Sequence, residues 1–273
     1  MSEDPTLTKR TRPAVDSLQI EHMFRLTDRV AIVTGGTRGI GRAIAAGFAA
    51  AGAKIVVASR KPEAVCEAEN QLGERGADVL GVVAHMGHLD HVQALVDRTV
   101  EHFGGIDIVV NNAATPLTLP VGQHTPDAWA KSYDVNLRGP VFLVEAAIPH
   151  LQRSSRAVVV NVLSAGAFLY SPNTAMYSGA KAAMLSWTRS MAAALAPGIR
   201  VNALAPGVVL TEMQLATSAE HQERTANAAL MRRAAQPEEM VGPALFLASD
   251  ASSFVTGQVL VVDGGLTPAS PAS

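Results

Sequence analysis

Short apolar runs alternate with amphipathic stretches along most of the chain. Seven runs rich in β-branched residues lie at 29–34, 54–59, 78–84, 107–112, 157–164, 199–205 and 258–263. Each run is continuous rather than alternating, which is typical of strands buried on both faces of a sheet. Helical stretches such as "GRAIAAGFAAAG" separate them. The pattern predicts an α/β fold with a single doubly wound parallel sheet of seven strands and helices on both faces.

The two ends of the chain depart from this pattern. Residues 1–25 are polar, contain two prolines and lack the apolar stretch of a signal peptide. We interpret them as an N-terminal extension, either a flexible arm or an arm that wraps a neighbouring subunit. Residues 26–266 then form one domain, and residues 267–273 form a loose C-terminal tail.

Composition and charge narrow the classes of function. The 273 residues are 48% hydrophobic and carry a formal net charge of −2, so we expect no nucleic-acid partner. No run of 18 apolar residues appears, so we expect no membrane span and a cytoplasmic protein. With one cysteine, Cys66, no intramolecular disulfide can form. The histidines show no metal-ligand spacing, so we expect no metal.

A glycine-rich turn follows the first predicted strand. "VTGGTRGIG" places Thr34, Gly35, Gly39 and Gly41 between that strand and the next helix. Glycine allows a tight turn and close approach of the backbone to a pyrophosphate, and a helix N-terminus offers free N–H groups to phosphates. The position of the turn, more than its glycine spacing, indicates a dinucleotide site at the carboxyl ends of the strands.

The second predicted strand ends in Ser59, Arg60 and Lys61. An NAD site usually has an acidic residue there, which binds the ribose 2′-hydroxyl. Two arginines, Arg38 and Arg60, with no carboxylate suit a 2′-phosphate instead, because guanidinium groups bind phosphate in a fork. The sequence therefore favours NADP(H), although Arg60 and Lys61 could also be solvated charges that open a helix.

Tyr177 and Lys181 stand four residues apart in a predicted helix, so their side chains share one face. A free phenol has a pKa near ~10 and is a poor base at neutral pH. A nearby ammonium group favours the phenolate, so we expect Lys181 to lower the pKa of Tyr177. A phenol tuned in this way can act as a general acid or base.

In order and spacing, these motifs resemble the short-chain dehydrogenase/reductase family over about residues 26–265. They are TGxxxGIG at 34–41, "NNA" at 111–113, Asn136 in "DVNLRG", Ser164, the Tyr177–Lys181 pair and "APG" at 205–207. The resemblance implies a Rossmann-type fold and hydride transfer between a nicotinamide cofactor and a ketone, aldehyde or secondary alcohol. It also implies a homotetramer or dimer, joined partly through the last strand.

The resemblance carries roles to individual positions. It implies a catalytic tetrad of Asn136, Ser164, Tyr177 and Lys181, in which Asn136 holds a water that links Lys181 to solvent. Tyr177 and Lys181 are also expected to meet the cofactor. The other expected cofactor residues are Thr34, Gly35, Thr37, Arg38, Gly39, Ile40, Gly41, Ser59, Arg60, Lys61, His85, Met86, Asn111, Asn112, Ala113, Ala114, Pro206, Gly207, Val209 and Thr211.

Three positions depart from the family pattern. Ala114 replaces the glycine of the usual "NNAG", and Leu163 replaces the first serine of the usual "SS" before the substrate loop. His85 stands where the family often has an aspartate facing adenine. His85 is thus a candidate adenine contact, with the Met86 backbone as the alternative.

The substrate is expected among stretches 115–121, 165–176 and 213–231, the last being a mobile lid after Thr211. Their aromatic and aliphatic side chains predict an apolar pocket. The residues expected to bind substrate are Ala165, Phe168, Tyr170, Met176 and Met213.

These features predict an NADP(H)-dependent carbonyl reductase or alcohol dehydrogenase that acts on free apolar ketones. One alternative is a reductase of 3-oxoacyl thioesters on an acidic carrier protein. Related carrier enzymes dock that partner with basic residues, and the matching positions here hold Phe142 and Gly198. The other alternative is a non-catalytic NADP(H)-binding redox sensor, which has no need of the full tetrad.

Overall fold

The computed structural model describes residues 19–215 and 218–269, apart from the side chains at 213, 221 and 269. Seven strands appear close to their predicted positions: β1 Val30–Thr34, β2 Lys54–Ser59, β3 Val79–Val83, β4 Ile108–Asn111, β5 Ala157–Val162, β6 Ile199–Pro206 and β7 Val259–Val262. All pair in parallel, in the order β3-β2-β1-β4-β5-β6-β7. The order reverses beside β1, so β1 and β4 flank the switch point where such sheets bind ligands.

Eleven helices occur in the described part of the chain. They are α1 Ile20–Met23, α2 Gly39–Ala50, α3 Pro62–Gly73, α4 Leu89–Phe103, α5 Pro126–Tyr133, α6 Gly139–Leu151, α7 Ala175–Leu195, α8 Glu212–Leu215, α9 Ala219–Asn227, α10 Val241–Ala248 and α11 Leu266–Ala269. A π-helical turn, Asp134–Arg138, joins α5 to α6. No described helix is both long and apolar enough to cross a membrane.

Helices cover both faces of the sheet, as predicted. On one face, α4, α6 and α7 bury side chains such as Leu95, Leu143 and Met184 against the sheet. On the other face, α2, α3 and α10 do the same with residues such as Phe48 and Leu247. Successive strand residues point to opposite faces, so a strand covered on both sides reads as a continuous apolar run.

The two outer strands differ from the prediction of burial on both faces. In β3 buried and partly exposed residues alternate, and Val83 is exposed. In β7 no residue is fully buried, and Val261 is exposed. The reason is position: an edge strand has a neighbour on one side only, so the flanking helices cover it incompletely.

The predicted N-terminal extension and C-terminal tail lie partly outside the described residues, namely at 1–18 and 270–273. Among the described residues, Leu26 is fully buried and its N–H donates to the carbonyl of Ala51, so the chain joins the packed domain at about position 26. The division into an extension, a domain and a tail stays a prediction.

Candidate active site

A cleft of about 540 Å³ opens beyond the carboxyl ends of the central strands. It is lined by most of the predicted site residues: Gly35, Thr37, Arg38, Gly39, Ile40, Gly41, Ser59, Arg60, His85, Met86, Asn112, Ala113, Ala114, Ser164, Tyr177, Lys181, Pro206, Gly207, Val209 and Thr211. The topology thus gathers residues more than 170 positions apart, because parallel strands all end at the same edge.

The glycine turn has the shape of a phosphate cradle. Gly35 and Gly39 adopt positive φ angles of 64° and 52°, which only glycine adopts without strain. A Cβ at Gly41 would lie 2.3 Å from the Gly35 carbonyl oxygen and 2.3 Å from the Asn112 amide nitrogen. A side chain at position 41 would therefore clash with the backbone of the turn. The N-terminal residues of α2 line the cleft. These features fit a dinucleotide pyrophosphate.

Thr34 and Asn111, both expected to contact the cofactor, form hydrogen bonds within the protein. The buried Thr34 hydroxyl donates to the Val110 carbonyl and accepts from the N–H groups of Asn112 and Ala113. Asn111 is buried and donates to Asn161 and to the Pro140 carbonyl. Neither side chain lines the cleft, and their contact with the cofactor stays a prediction.

Asn112, by contrast, lines the cleft and donates to the carbonyl oxygens of Thr34 and Gly35. Consecutive residues at a strand end point to opposite sides, which separates Asn111 from Asn112. The "NNA" motif therefore ties β4 to both the glycine turn and β5.

The arginine side of the cleft carries positive charge and no acidic residue at the end of β2. Arg38 and Arg60 line the cleft, and both are exposed. Arg38 forms an ion pair of 3.4 Å with Glu212, in α8 on the opposite wall. Lys61 does not line the cleft, because it is the cap residue that begins α3 and points to solvent.

Ser164, Tyr177 and Lys181 meet deep in the cleft. Ser164 follows β5, and its hydroxyl accepts from the Gly166 N–H at 3.1 Å, which fixes the side chain. The Ser164 side chain is close enough to Tyr177 to affect the pKa of its phenol. Lys181, one helical turn after Tyr177 in α7, lies with its Nζ 5.7 Å from the centroid of the Tyr177 ring and donates to the Val162 carbonyl at 2.8 Å.

The pKa values of this group are set mainly by burial. Burial raises the pKa of Tyr177 above its ordinary value, and interaction with the Ser164 side chain opposes that change. Burial also lowers the pKa of Lys181 to about 8, since the charged ammonium loses its water. The expectation that Lys181 lowers the pKa of Tyr177 stays a prediction.

Asn136 lies in the π-helical turn, and its buried side chain forms three hydrogen bonds. Its amide donates to the Thr115 carbonyl and to the Ser132 hydroxyl, and its oxygen accepts from the Thr115 N–H. Asn136 therefore holds the loop that follows β4 and does not itself line the cleft. Its expected role in proton relay stays a prediction.

Four of the five residues expected to bind substrate do not line the cleft. Ala165 and Met176 are buried in the packed interior, and Tyr170 is 85% exposed. Phe168 is exposed as well, and the Met213 side chain is outside the described residues. Aromatic and aliphatic residues indicate burial or binding equally well, so composition could not separate the two.

The predicted substrate stretches contribute Thr115, Pro116, Thr174 and Gln214 to the cleft. Lining residues that were not among the expected site residues are Ala58, Ala84, Val135, Val162, Leu163, Val208 and Glu212. Each lies one or two positions from an expected site residue, which is the signal that could have found them.

A glycine turn for phosphates and a Ser–Tyr–Lys group in one cleft of a doubly wound sheet define a dinucleotide-dependent oxidoreductase. The sequence model of a family described as enoyl-(acyl carrier protein) reductase matches residues 35–267. The short-chain dehydrogenase/reductase SDRA of Arabidopsis thaliana is 40% identical over 89% of this chain and 96% of its own length. The chain belongs to the short-chain dehydrogenase/reductase family, whose members use a nicotinamide cofactor.

Further relatives support the assignment. Human dehydrogenase/reductase SDR family member 4 is 39% identical over 88% of each chain. Among solved structures, a gluconate 5-dehydrogenase from Burkholderia cenocepacia, in complex with NADP and tartrate, is 35% identical. It superposes with a TM-score of 0.87 over 91% of this chain and 99% of its own.

Proposed function

We propose that this oxidoreductase is NADP(H)-dependent and interconverts a free ketone or aldehyde with the corresponding alcohol. The observation that carries the proposal is the grouping of Ser164, Tyr177 and Lys181 in the same cleft that the glycine turn lines. The relative with bound NADP and the two arginines at the cleft favour the phosphorylated cofactor.

The chain's own residues divide the chemistry between them. The bound nicotinamide supplies or accepts the hydride. Ser164 donates a hydrogen bond from its hydroxyl to the carbonyl oxygen and polarises the carbonyl group. Tyr177 gives the proton to that oxygen in reduction and removes it in oxidation. Lys181 holds the cofactor ribose and places positive charge near the developing phenolate.

The glycine turn and the N-terminus of α2 would hold the pyrophosphate. Arg38 and Arg60 would bind the 2′-phosphate, since no carboxylate stands at the end of β2 to repel it. Lys61 is not needed for this arrangement. Pro206, Gly207, Val209 and Thr211 line the same cleft and would meet the nicotinamide carboxamide.

The preference for free apolar ketones stays a prediction, although Ala165, Phe168, Tyr170 and Met176 do not line the cleft. Polar side chains such as Thr115, Thr174 and Gln214 line the same cleft as Ser164. A carrier-bound acyl substrate remains the second candidate, favoured by the description of the matching family.

The test is a comparison of kcat/KM with NADPH for an aryl ketone, a keto derivative of a sugar acid and a 3-oxoacyl carrier-protein thioester. We expect a free carbonyl compound to be preferred. A preference of more than about tenfold for the thioester, or about 1.4 kcal/mol, would identify a carrier-protein reductase. Tight NADPH binding without turnover of any carbonyl compound would indicate the redox sensor.

We also propose a homotetramer. Phe254 is fully exposed near the edge strand β7, and Val261 of that strand is exposed. Phe142 of α6 and Trp187 of α7 are exposed as well. Exposed apolar side chains of this kind mark association surfaces. Light scattering at micromolar concentration tests the proposal, and a monomer there would contradict it.

A further inference from the structure

Three histidine rings contact one another on the segment between β3 and α4. The ring centroids of His85 and His88 are 4.9 Å apart, and those of His88 and His91 are 5.3 Å apart. His85 lines the cleft, as does Arg60 at the end of the neighbouring strand β2. Within residues 19–215 and 218–269, no group of His, Cys, Asp or Glu side chains is arranged to hold a metal ion. The rings therefore need another explanation.

Two of the imidazoles accept backbone hydrogen bonds. The Gly87 N–H donates to Nδ1 of His85 at 3.0 Å, and the His85 N–H donates to Nδ1 of His91 at 3.2 Å. A neutral imidazole can accept at one ring nitrogen, whereas both nitrogens of a protonated ring are donors. The segment keeps both hydrogen bonds only while His85 and His91 are neutral.

This segment forms one wall of the cleft and is packed against the protein. Ala84, His85 and Met86 line the cleft, and Met86 is buried. A Cβ at Gly87 would lie 2.9 Å from the His85 ring. A break in either hydrogen bond therefore moves cleft-lining atoms. The ends of β2 and β3 lie where a dinucleotide's adenosine half binds in such a sheet.

We infer that His85 and His91 are positioning residues for the adenosine half of the cofactor: as neutral imidazoles they hold residues 84–88 in the shape that binds it, and protonation releases the segment. This inference rests on the nicotinamide cofactor of the proposed function. It concerns the affinity for the cofactor and requires no statement about the substrate.

Charged groups surround the cluster on three sides. They are Arg60 after β2, His88 and Asp90 at the start of α4, and Asp134 with Arg138 in the π-helical turn. Burial lowers the pKa of His85 below 6.5, and the charges of His88, Arg60 and His91 lower it further. His85 therefore has a lower pKa in the held segment than in the released one. As the pH falls below about 6.5, His85 is protonated more readily in the released segment, so release is favoured.

The test measures binding of NAD⁺ to the full-length protein by calorimetry. NAD⁺ is chosen because its diphosphate bridge takes up no proton in the range used. Between about pH 7.5 and about pH 5.5, which brackets the ordinary histidine pKa, we expect the Kd to rise about fivefold or more. Near-ultraviolet circular dichroism at each pH confirms that the sample is folded.

Variants at His91 separate titration from packing, because His91 does not line the cleft. An asparagine oxygen can accept the His85 N–H and does not titrate. His91→Asn should therefore bind NAD⁺ within about twofold of the parent near pH 7.5 and lose less affinity on acidification. His91→Leu removes the acceptor and should bind weakly at both pH values. The double variant His85→Asn/His91→Asn should show the flattest pH profile.

His102→Asn is the matched control, since His102 is exposed at the other end of α4. It should keep the pH dependence of the parent. The inference is overturned if parent affinity changes less than twofold or rises on acidification, or if His91→Asn keeps the parent's profile. Binding of neither NAD⁺ nor NADP⁺ near pH 7.5 would contradict the proposed function itself and the inference with it.

Discussion

The cleft wall formed by residues 34–41 and 111–114 is held by buried hydrogen bonds, whereas the wall formed by residues 207–214 meets it through an exposed ion pair. In the first wall, Thr34 and Asn112 each bond two or more backbone groups. In the second, Glu212 reaches Arg38 at 3.4 Å, with both side chains 61% exposed. The first wall is thus preorganised, while the ion pair that joins the two walls contributes little to stability.

The largest effect is expected at Tyr177, which lines the cleft between the two walls. Tyr177→Phe keeps the ring and its packing but removes the proton that the reaction needs. Turnover should fall by about 10²–10⁴-fold, the usual contribution of a general acid or base. The measurement is NADPH oxidation with the best carbonyl substrate, alongside cofactor affinity, which should change little.

Tyr170→Phe is the matched control, because Tyr170 is 85% exposed and does not line the cleft. It should turn over like the parent. Activity of Tyr177→Phe within about twofold of the parent would remove Tyr177 from the proposed mechanism, since even a weak general acid contributes more than that.

Burial of the Lys181 ammonium group destabilises the folded protein. A Lys181 pKa lowered from 10.5 to about 8 corresponds to roughly 3 kcal/mol of destabilisation at neutral pH. Lys181→Met should raise the free energy of unfolding by up to that amount at pH 7, less the cost of the hydrogen bond lost at Val162. It should also abolish turnover.

The pH dependence of the free energy of unfolding tests whether Lys181 is destabilising. Between pH 8 and 10.5 the unfolded chain holds the Lys181 proton more tightly than the folded chain does. The stability of the parent therefore rises across this window relative to that of Lys181→Met, and the difference between them shrinks. Urea unfolding of both proteins measures it. Lys131→Met, at an exposed site on α5, should show no such convergence.

The preorganised wall can be disrupted by one methyl group. Gly41→Ala places a Cβ 2.3 Å from the Gly35 carbonyl oxygen, so the turn must shift. Overpacking of this kind costs about 1–3 kcal/mol, which should appear as roughly tenfold to hundredfold weaker cofactor binding. Fluorescence titration with NADPH is the measurement.

Gly242→Ala is the control, because Gly242 also lies in a helix but a Cβ there meets nothing within 4 Å. It should bind NADPH like the parent and gain slightly in stability. Equal affinities of Gly41→Ala and Gly242→Ala would show that the turn is not a close-packed cradle.

The same contrast explains what the sequence could predict. Central strands such as β1 and β5 are buried on both faces, and their apolar runs have unambiguous lengths. The glycine turn and the Tyr177–Lys181 spacing predict their own local geometry, because backbone conformation and helix period determine it. Gly35, Gly39, Gly41, Tyr177 and Lys181 all line the cleft.

Prediction failed where two adjacent residues face different environments. Met176 is buried and Tyr177 lines the cleft, although both belong to the same turn of α7. Asn111 and Asn112 part in the same way at the end of β4. Which neighbour faces the cleft depends on how the helix or strand is rotated against the rest of the fold, and no local pattern determines that rotation.

The arginines at the edge of the first wall should determine the choice of cofactor. Replacing Arg38 and Arg60 together by alanine removes the proposed phosphate ligands, and charge-assisted hydrogen bonds contribute about 1.5–3 kcal/mol when desolvated. Because both arginines are exposed, we expect a smaller sum: NADPH affinity about tenfold weaker and NADH affinity within about twofold.

Arg75→Ala serves as the control, since Arg75 is exposed in the turn after α3 and does not line the cleft. The ratio of KM values for NADPH and NADH measures the effect. A double variant that weakens both cofactors equally would leave the arginines without a role in phosphate binding.

The smallest effect is expected at Glu212, the residue that joins the two walls. Its carboxylate pairs with Arg38, so it competes with the 2′-phosphate for that guanidinium and repels it. Glu212→Gln keeps the shape of the side chain and removes the charge. Since exposed ion pairs contribute about 0–1 kcal/mol, NADPH should bind up to about fivefold more tightly, while NADH affinity stays unchanged. The gain should disappear in 1 M salt, where electrostatic interactions are screened beyond about 3 Å.

Glu220→Gln, on the exposed first turn of α9, is the control that should bind both cofactors like the parent. Weaker NADPH binding by Glu212→Gln would instead mean that the ion pair holds the second wall in its binding position, and that the two walls are mechanically coupled.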